Sequence, residues 1–232
     1  MSEPEESAET GAVAVIPPHI PVLPFDVIVH IVEQSDQSEW GNLAEVNNQF
    51  RHAVRLCLQP LTSISLSQFL KPLVGLASEE VVVFMLQTLV DLESLTIHAS
   101  VLPVIRNHVG AQLCALKNLK SLDIGGCFIR EKLLCRILRG LPQLEELRLR
   151  GCLFTKGRTD YDESKCSPQA LRELNDDTYH SLKTIGKRVI KRIATLKNLK
   201  KLDIYECYSG RDTLSILLSE LPDLREIYIQ FP

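Results

Sequence analysis

The chain has 232 residues, of which 45% are hydrophobic, 24% charged and 6% aromatic, and its formal net charge is −3. Such values belong to one large globular domain or two small ones; they exclude a collagen-like, wholly disordered or membrane-embedded chain, and the charge balance excludes an electrostatic nucleic-acid binder. Two counts depart from the ordinary: there are 37 leucines, and seven cysteines without a C-x-x-C pair among them.

Residues 1–20 carry Glu3, Glu5, Glu6 and Glu9 and neither Lys nor Arg. They read as a disordered acidic tail, followed by Pro21. A signal or transit peptide needs basic residues, so neither is expected here. With no N-x-Ser/Thr sequon either, the cysteines are expected as thiols in a reducing compartment, cytosol or nucleus. Residues 21–57 predict a small three-helix unit. Val27, Ile28, Ile31 and Val32 share one helical face, Trp40, Leu43 and Val46 continue at three-residue spacing, and Phe50, Arg51 and Val54 close it. A unit of this size is marginal alone and needs a packed neighbour.

From residue 58 to 232 one spacing, L-x-x-L-x-x-L-x-L with Ile allowed, governs the chain. Its copies start at 58, 89, 116, 141, 196 and 221, and two of them share LKNLK-x-LDI. The L-x-L ending has the period of a short strand. Helices are expected between the strands over Glu79–Leu89, Pro103–Leu116, Glu131–Arg139, Thr178–Ala194 and Arg211–Glu220. The product is an α/β solenoid of about six parallel strands with convex helices, in which no copy buries its own apolar face alone. The step from 141 to 196 spans two periods, or one carrying an insertion near 155–180; that polar stretch reads as a contact loop or as a disordered excursion.

This region resembles cysteine-containing leucine-rich repeats. Three residues after the last aliphatic of the motif stand Cys127, Cys152 and Cys207, the position where that family carries Cys or Asn. A small weak donor there can cap backbone groups as the strand turns away. The segment LPFDVIVHIVEQSDQSEWGNLAEVNNQFR resembles an F-box, departing from its pattern at Ser35, Trp40 and Asn47. A polar helical cap on the first repeat is the other reading of the same residues. The F-box resemblance implies a substrate-recognition subunit of a cullin-based ubiquitin ligase. It would dock on a Skp-type adaptor through Leu23, Pro24, Ile28, Ile31, Leu43 and Val46, hold a protein substrate on the repeats and do no chemistry itself. The alternative is a repeat scaffold or inhibitor without a ubiquitin link.

Strand alternation turns the residues between the leucines toward the concave face. The middle column is Ser65, Thr96, Asp123, Arg148, Asp203 and Tyr228, and the next is Ser67, His98, Gly125, Arg150, Tyr205 and Gln230. Asp123, Arg148, Arg150, Asp203, Tyr205 and Tyr228 are the candidate substrate-binding residues, with Arg and Tyr most typical of hot spots. On a continuous helix Lys183, Lys187, Arg188, Lys191 and Arg192 would form one basic face, either solvated or turned to an acidic partner, a nucleic acid or a nuclear-import receptor. Without aromatic interleaving, nucleic acid is the least expected of these. No metal-ligand spacing, P-loop or nucleophile motif is present, so neither enzyme activity nor a cofactor is expected, and no apolar run reaches the roughly 18 residues of a membrane span.

Overall fold

The computed structural model describes residues 23–70, 79–156 and 176–230. The expected acidic tail and residues 157–175 of the expected insertion lie outside them.

Each copy of the leucine motif turns its inner aliphatics away from water and leaves the backbone to pair with its neighbours. The result is a six-stranded parallel sheet of β1 (Ser63–Ser65), β2 (Ser94–Thr96), β4 (Ser121–Asp123), β6 (Glu146–Arg148), β8 (Lys201–Tyr208) and β9 (Glu226–Gln230), in that order. β6 pairs directly with β8, Leu147 opposite Leu202. The 55-residue step is therefore one repeat carrying an insertion. A second parallel sheet, β3 (Val104–Ile105), β5 (Phe128–Arg130) and β7 (Leu153–Thr155), forms where the chain turns away from the first. The L-x-L reading did not anticipate it, because its strands lie past the L-x-L stretch, where the chain has already turned.

The cysteines make that turn. Cys152 Sγ donates to the Ile124 carbonyl at 3.1 Å and Cys207 Sγ to the Leu149 carbonyl at 3.1 Å. Cys127 Sγ lies 3.5 Å from the Ile97 carbonyl and 3.3 Å from that of Leu102. Each thiol thus reaches the last aliphatic of the preceding copy, a carbonyl at the point where the strand ends. All three are fully buried. Loss of solvent pushes the Cys207 thiol up to about 11 and raises those of Cys127 and Cys152 further, so all three stay protonated donors.

Around the convex side run α5 (Glu79–Thr88), α6 (Asn107–Leu113), α7 (Glu131–Gly140), α9 (Lys187–Ile193) and α10 (Thr213–Glu220). Two helices differ from expectation. The one expected from Pro103 begins only at Asn107, because the Pro103 carbonyl accepts the Phe128 N–H at 2.7 Å and Val104 and Ile105 pair with β5. The single helix expected over Thr178–Ala194 is two, α8 (Asp176–Lys183) and α9, separated where Thr184 bridges Tyr208 and the Ile185 N–H donates to the Tyr208 carbonyl at 2.9 Å. Gly186 sits at this break, and a Cβ there would collide with the carboxylate of Glu131. Glu131, at the head of α7, is itself buried, with Oε1 unpartnered, and burial raises its pKa against the opposing Gly186 N–H.

At the N-terminal end lie α1 (Phe25–Gln34), a 3-10 turn (Gln37–Glu39), α2 (Trp40–Val46) and α3 (Asn48–Leu58), followed after β1 by the single turn α4 (Leu66–Phe69). The three residues that depart from the F-box pattern each hold this unit. Ser35 Oγ donates to the Ile31 carbonyl at 2.6 Å and closes α1. Trp40 Nε1 donates to the Val32 carbonyl at 3.0 Å while its ring meets Phe69 edge-on at 5.6 Å. Asn47 Oδ1 accepts from the N–H groups of Gln49 and Phe50 and caps α3. The apolar core runs as one cluster from Ile28 in α1 to Leu221 after α10.

Candidate functional site

On the six-stranded sheet a single register carries Ile64, Leu95, Leu122, Leu147, Leu202 and Ile227 inward, and beside it Ser65, Thr96, Asp123, Arg148, Asp203 and Tyr228 outward. The structure brings the six candidate substrate-binding residues to this face. Arg148 lies between two carboxylates, 2.6 Å from Glu146 and 3.7 Å from Asp123. Asp123 Oδ1 also accepts the Gly125 N–H at 2.9 Å, and Asp203 Oδ1 accepts that of Tyr205 at the same distance. These aspartates brace the strand ends as well as facing outward. Arg150 lies 5.1 Å from the Tyr205 ring and 3.2 Å from the Glu206 carboxylate, and Tyr205 and Tyr228 are 42% and 49% exposed. A large ring left in water beside a guanidinium is the arrangement a protein partner exploits, since it supplies contact area at little conformational cost. Two members of the second column depart from it: Ser67 lies in α4, and Gln230 pairs with Tyr208 across a register shift instead of lying beside Tyr205.

Sequence reasoning missed two sets of residues here. The residue before the first leucine of L-x-L also faces out, by the same alternation, giving a third column of Ser63, Ser94, Ser121, Glu146, Lys201 and Glu226. Within it Lys201 lies 2.8 Å from Glu226 and 3.8 Å from Glu146, and this contact lowers the Glu226 pKa and raises that of Lys201. The second is Glu206. The residue before each repeat cysteine takes a left-handed backbone, φ 74° at Gly126 and 65° at Gly151, and Glu206 holds it at 61°. A side chain there is strained where glycine is not. Its carboxylate meets Arg150 and lies 3.9 Å from Lys183. Aligning the three copies on their cysteines, G-C, G-C and E-C, exposes this position.

The residues expected to dock an adaptor divide. Leu23, Pro24 and Val46 are exposed, Ile31 and Leu43 half-buried, and Ile28 is 2% exposed. Ile28 is corrected to a core residue: one turn from Val32, it faces the interior that α1 shares with α3. Val27, not among the expected docking residues, is exposed at 39%. The basic face expected over one helix is also corrected, since Lys183 belongs to α8, is 15% exposed and lies toward Glu206, while the others lie on α9. Among the described residues no group of three or more His, Cys, Asp or Glu side chains is placed to hold a metal ion, and no helix is long and apolar enough to cross a membrane.

The family model described as plant disease resistance protein RPS2-like, leucine-rich repeats, matches residues 89–230. The chain belongs to the leucine-rich repeat family. Its fold is that of a protein-interaction module. No curated protein matches it in sequence. Solved structures similar to it include the tropomodulin C-terminal domain of Caenorhabditis elegans, 12% identical, covering 82% of this chain and 93% of that one with a TM-score of 0.45. Another is the TLR13–ssRNA13 complex, 18% identical, covering 77% of this chain and 21% of that one, TM-score 0.45. A leucine-rich repeat protein of Leptospira interrogans is 14% identical over 86% of this chain and 61% of its own, TM-score 0.28.

Proposed function

We propose that this leucine-rich repeat protein is a receptor subunit. It binds a protein substrate on the concave strands and docks through its N-terminal helices on a Skp-type adaptor of a cullin-based ubiquitin ligase. The observation that carries the docking half is the outer side of the helical unit. Leu23, Val27 and Val46 are 43%, 39% and 60% exposed, while Ile28, Val32 and Val54 pack inward. Apolar side chains shown to water on so small a unit are the material of an interface. Together with Pro24 they lie in the stretch that resembles an F-box. In this role the chain does no chemistry: it brings a substrate, held near Arg150, Tyr205 and Tyr228, to catalytic partners, in the cytosol or nucleus.

The test is capture of a purified Skp-type adaptor by the full chain. Binding that is lost in Leu23→Ala/Pro24→Ala and in Val46→Asp, but kept in Tyr205→Ala/Tyr228→Ala, is the expected result. No capture by the parent chain, or capture indifferent to the first two variants, would replace this reading with the repeat scaffold or inhibitor. One observation favours that second reading. Trp40 against Phe69, and Arg51 and Arg55 over the Phe84 ring at 5.8 and 5.5 Å, join the helical unit to the first repeat as a cap would be joined.

A further inference from the structure

On the convex side α7 and α9 pack against each other, and the cleft between them, about 450 Å³, is walled by cations from both. Lys132, Arg136 and Arg139 stand on α7 and Arg188, Lys191 and Arg192 on α9, with Cys135 between them. The cations are exposed except Arg192, which is half-buried, and Cys135 is buried. Among the described residues no carboxylate lines the cleft. Glu131, whose field reaches Arg188 and Cys135, is buried at the head of α7 outside the cleft. Arg136 donates to a neutral amide, Asn107 Oδ1, at 3.2 Å.

The neighbouring convex contacts are built differently. Glu79 of α5 takes Arg106, just before α6, at 2.9 Å, and Lys187 of α9 lies 3.9 Å from Asp212 at the head of α10. Opposite charges meet there, whereas like charges face each other across the α7–α9 cleft. Lys132 and Arg136, and Arg188 and Arg192, also repel one turn apart along each helix. A cluster that opposes its own fold, with no carboxylate lining the cleft among the described residues and only the buried Glu131 acting on it from outside, is complementary to an anion brought from outside. Three features select which one. The chain's net charge of −3 repels a long polyanion. The walls are helices of ten and seven residues, roughly 15 Å long at most. The cleft lining also holds no aromatic ring for a base to stack on.

We propose that this cleft docks a short acidic polypeptide segment of a partner protein, its Asp and Glu carboxylates gripped by the arginine forks of both helices. This makes the convex side a second binding surface, independent of the concave strands and of the N-terminal helices.

The test uses the full chain and a fluorescein-labelled peptide of alternating Glu and Gly, read by fluorescence anisotropy at rising salt. The peptide binds, more weakly as salt screens the cluster. Arg139→Glu/Arg188→Glu weakens it about tenfold or more, Arg139→Lys/Arg188→Lys retains binding, and Arg148→Glu/Arg150→Glu on the concave face leaves it unchanged. Because reversal relieves repulsion, the Arg188→Glu chain melts at or above the parent temperature, a readout that needs no ligand. The proposal is overturned by binding that survives the reversal, by equal loss from the concave variant, or by a short DNA duplex bound as tightly as the peptide. It is also overturned by a dimer, seen in sedimentation, that the reversal dissolves.

Discussion

Leu147 and Arg148 are neighbours on β6 and belong to two columns that run the width of the same sheet. The inward column is aliphatic at every strand, whereas the outward one runs from Ser65 to Tyr228 through three charged side chains. The difference is one of surroundings. An inward position is enclosed by the repeats on either side, so only one shape and polarity fit. An outward position touches water, where ion pairs such as Arg148–Glu146 add little stability, and it is free to vary with the partner it meets. Stability and recognition therefore occupy alternate residues of one strand.

That division can be broken in order of expected effect. Leu147→Ala should cost about 2–5 kcal/mol in urea unfolding, while Arg148→Ala should stay within about 0.5 kcal/mol; similar costs for both would show that the columns are not separate. Cys152→Ala should cost about 0.5–1.5 kcal/mol by removing one of the two donors to the Ile124 carbonyl, which keeps the Cys127 N–H. In the same vein, Cys127, Cys152 and Cys207 should resist alkylation at pH 8 in the folded chain, since burial holds their thiols well above that pH. Glu206→Gly relieves a left-handed side chain at roughly 1 kcal/mol. It should therefore raise the melting temperature while removing the carboxylate beside Arg150, and a fall in melting temperature would mean that the Arg150 and Lys183 contacts outweigh the strain.

Two further effects are set by pH. Glu131 is a carboxyl on the inward side, and burial raises its pKa above the ordinary carboxylate value of 4.5. The folded state then holds its proton longer than the unfolded one, so stability falls as pH rises from that value through the folded pKa. Glu131→Gln should accordingly stabilise the chain at pH 7 and flatten its melting temperature against pH. The smallest effect belongs to Glu226, whose pKa the Lys201 ammonium lowers. Its contribution is present above pH 4.5 and is lost as pH falls through the folded value. Lys201→Ala should remove only that slope, measured at low salt where exposed pairs are least screened.

The repeat interior was legible because burial is periodic: four aliphatic positions and a cysteine recur at intervals that survive any neighbour. Hence the strands, their order and the outward column could be read from spacing alone. The second sheet could not, because Val104, Ile105, Phe128 and Ile129 lie outside the L-x-L stretch and pair only once the cysteine turns have aligned them. Neither could the break at Gly186, where the local pattern is helical and a bridge to Tyr208, with the Glu131 carboxylate above the glycine, wins over it. Ile28 shows the same limit in the helical unit, since a resemblance places a residue on a helix but only packing against α3 decides which side it faces.

Residue order alone therefore established a leucine-rich array with thiol-capped turns, for the physical reason that every repeat must bury the same face against the next. Tertiary structure decided what depends on distance across the chain. It made the 55-residue step one repeat, placed Glu206 at a glycine's backbone beside Arg150, and set α7 beside α9 so that six cations from separate repeats face one cleft. Charges carry no such period, and their meaning appears only when the solenoid closes the space between them.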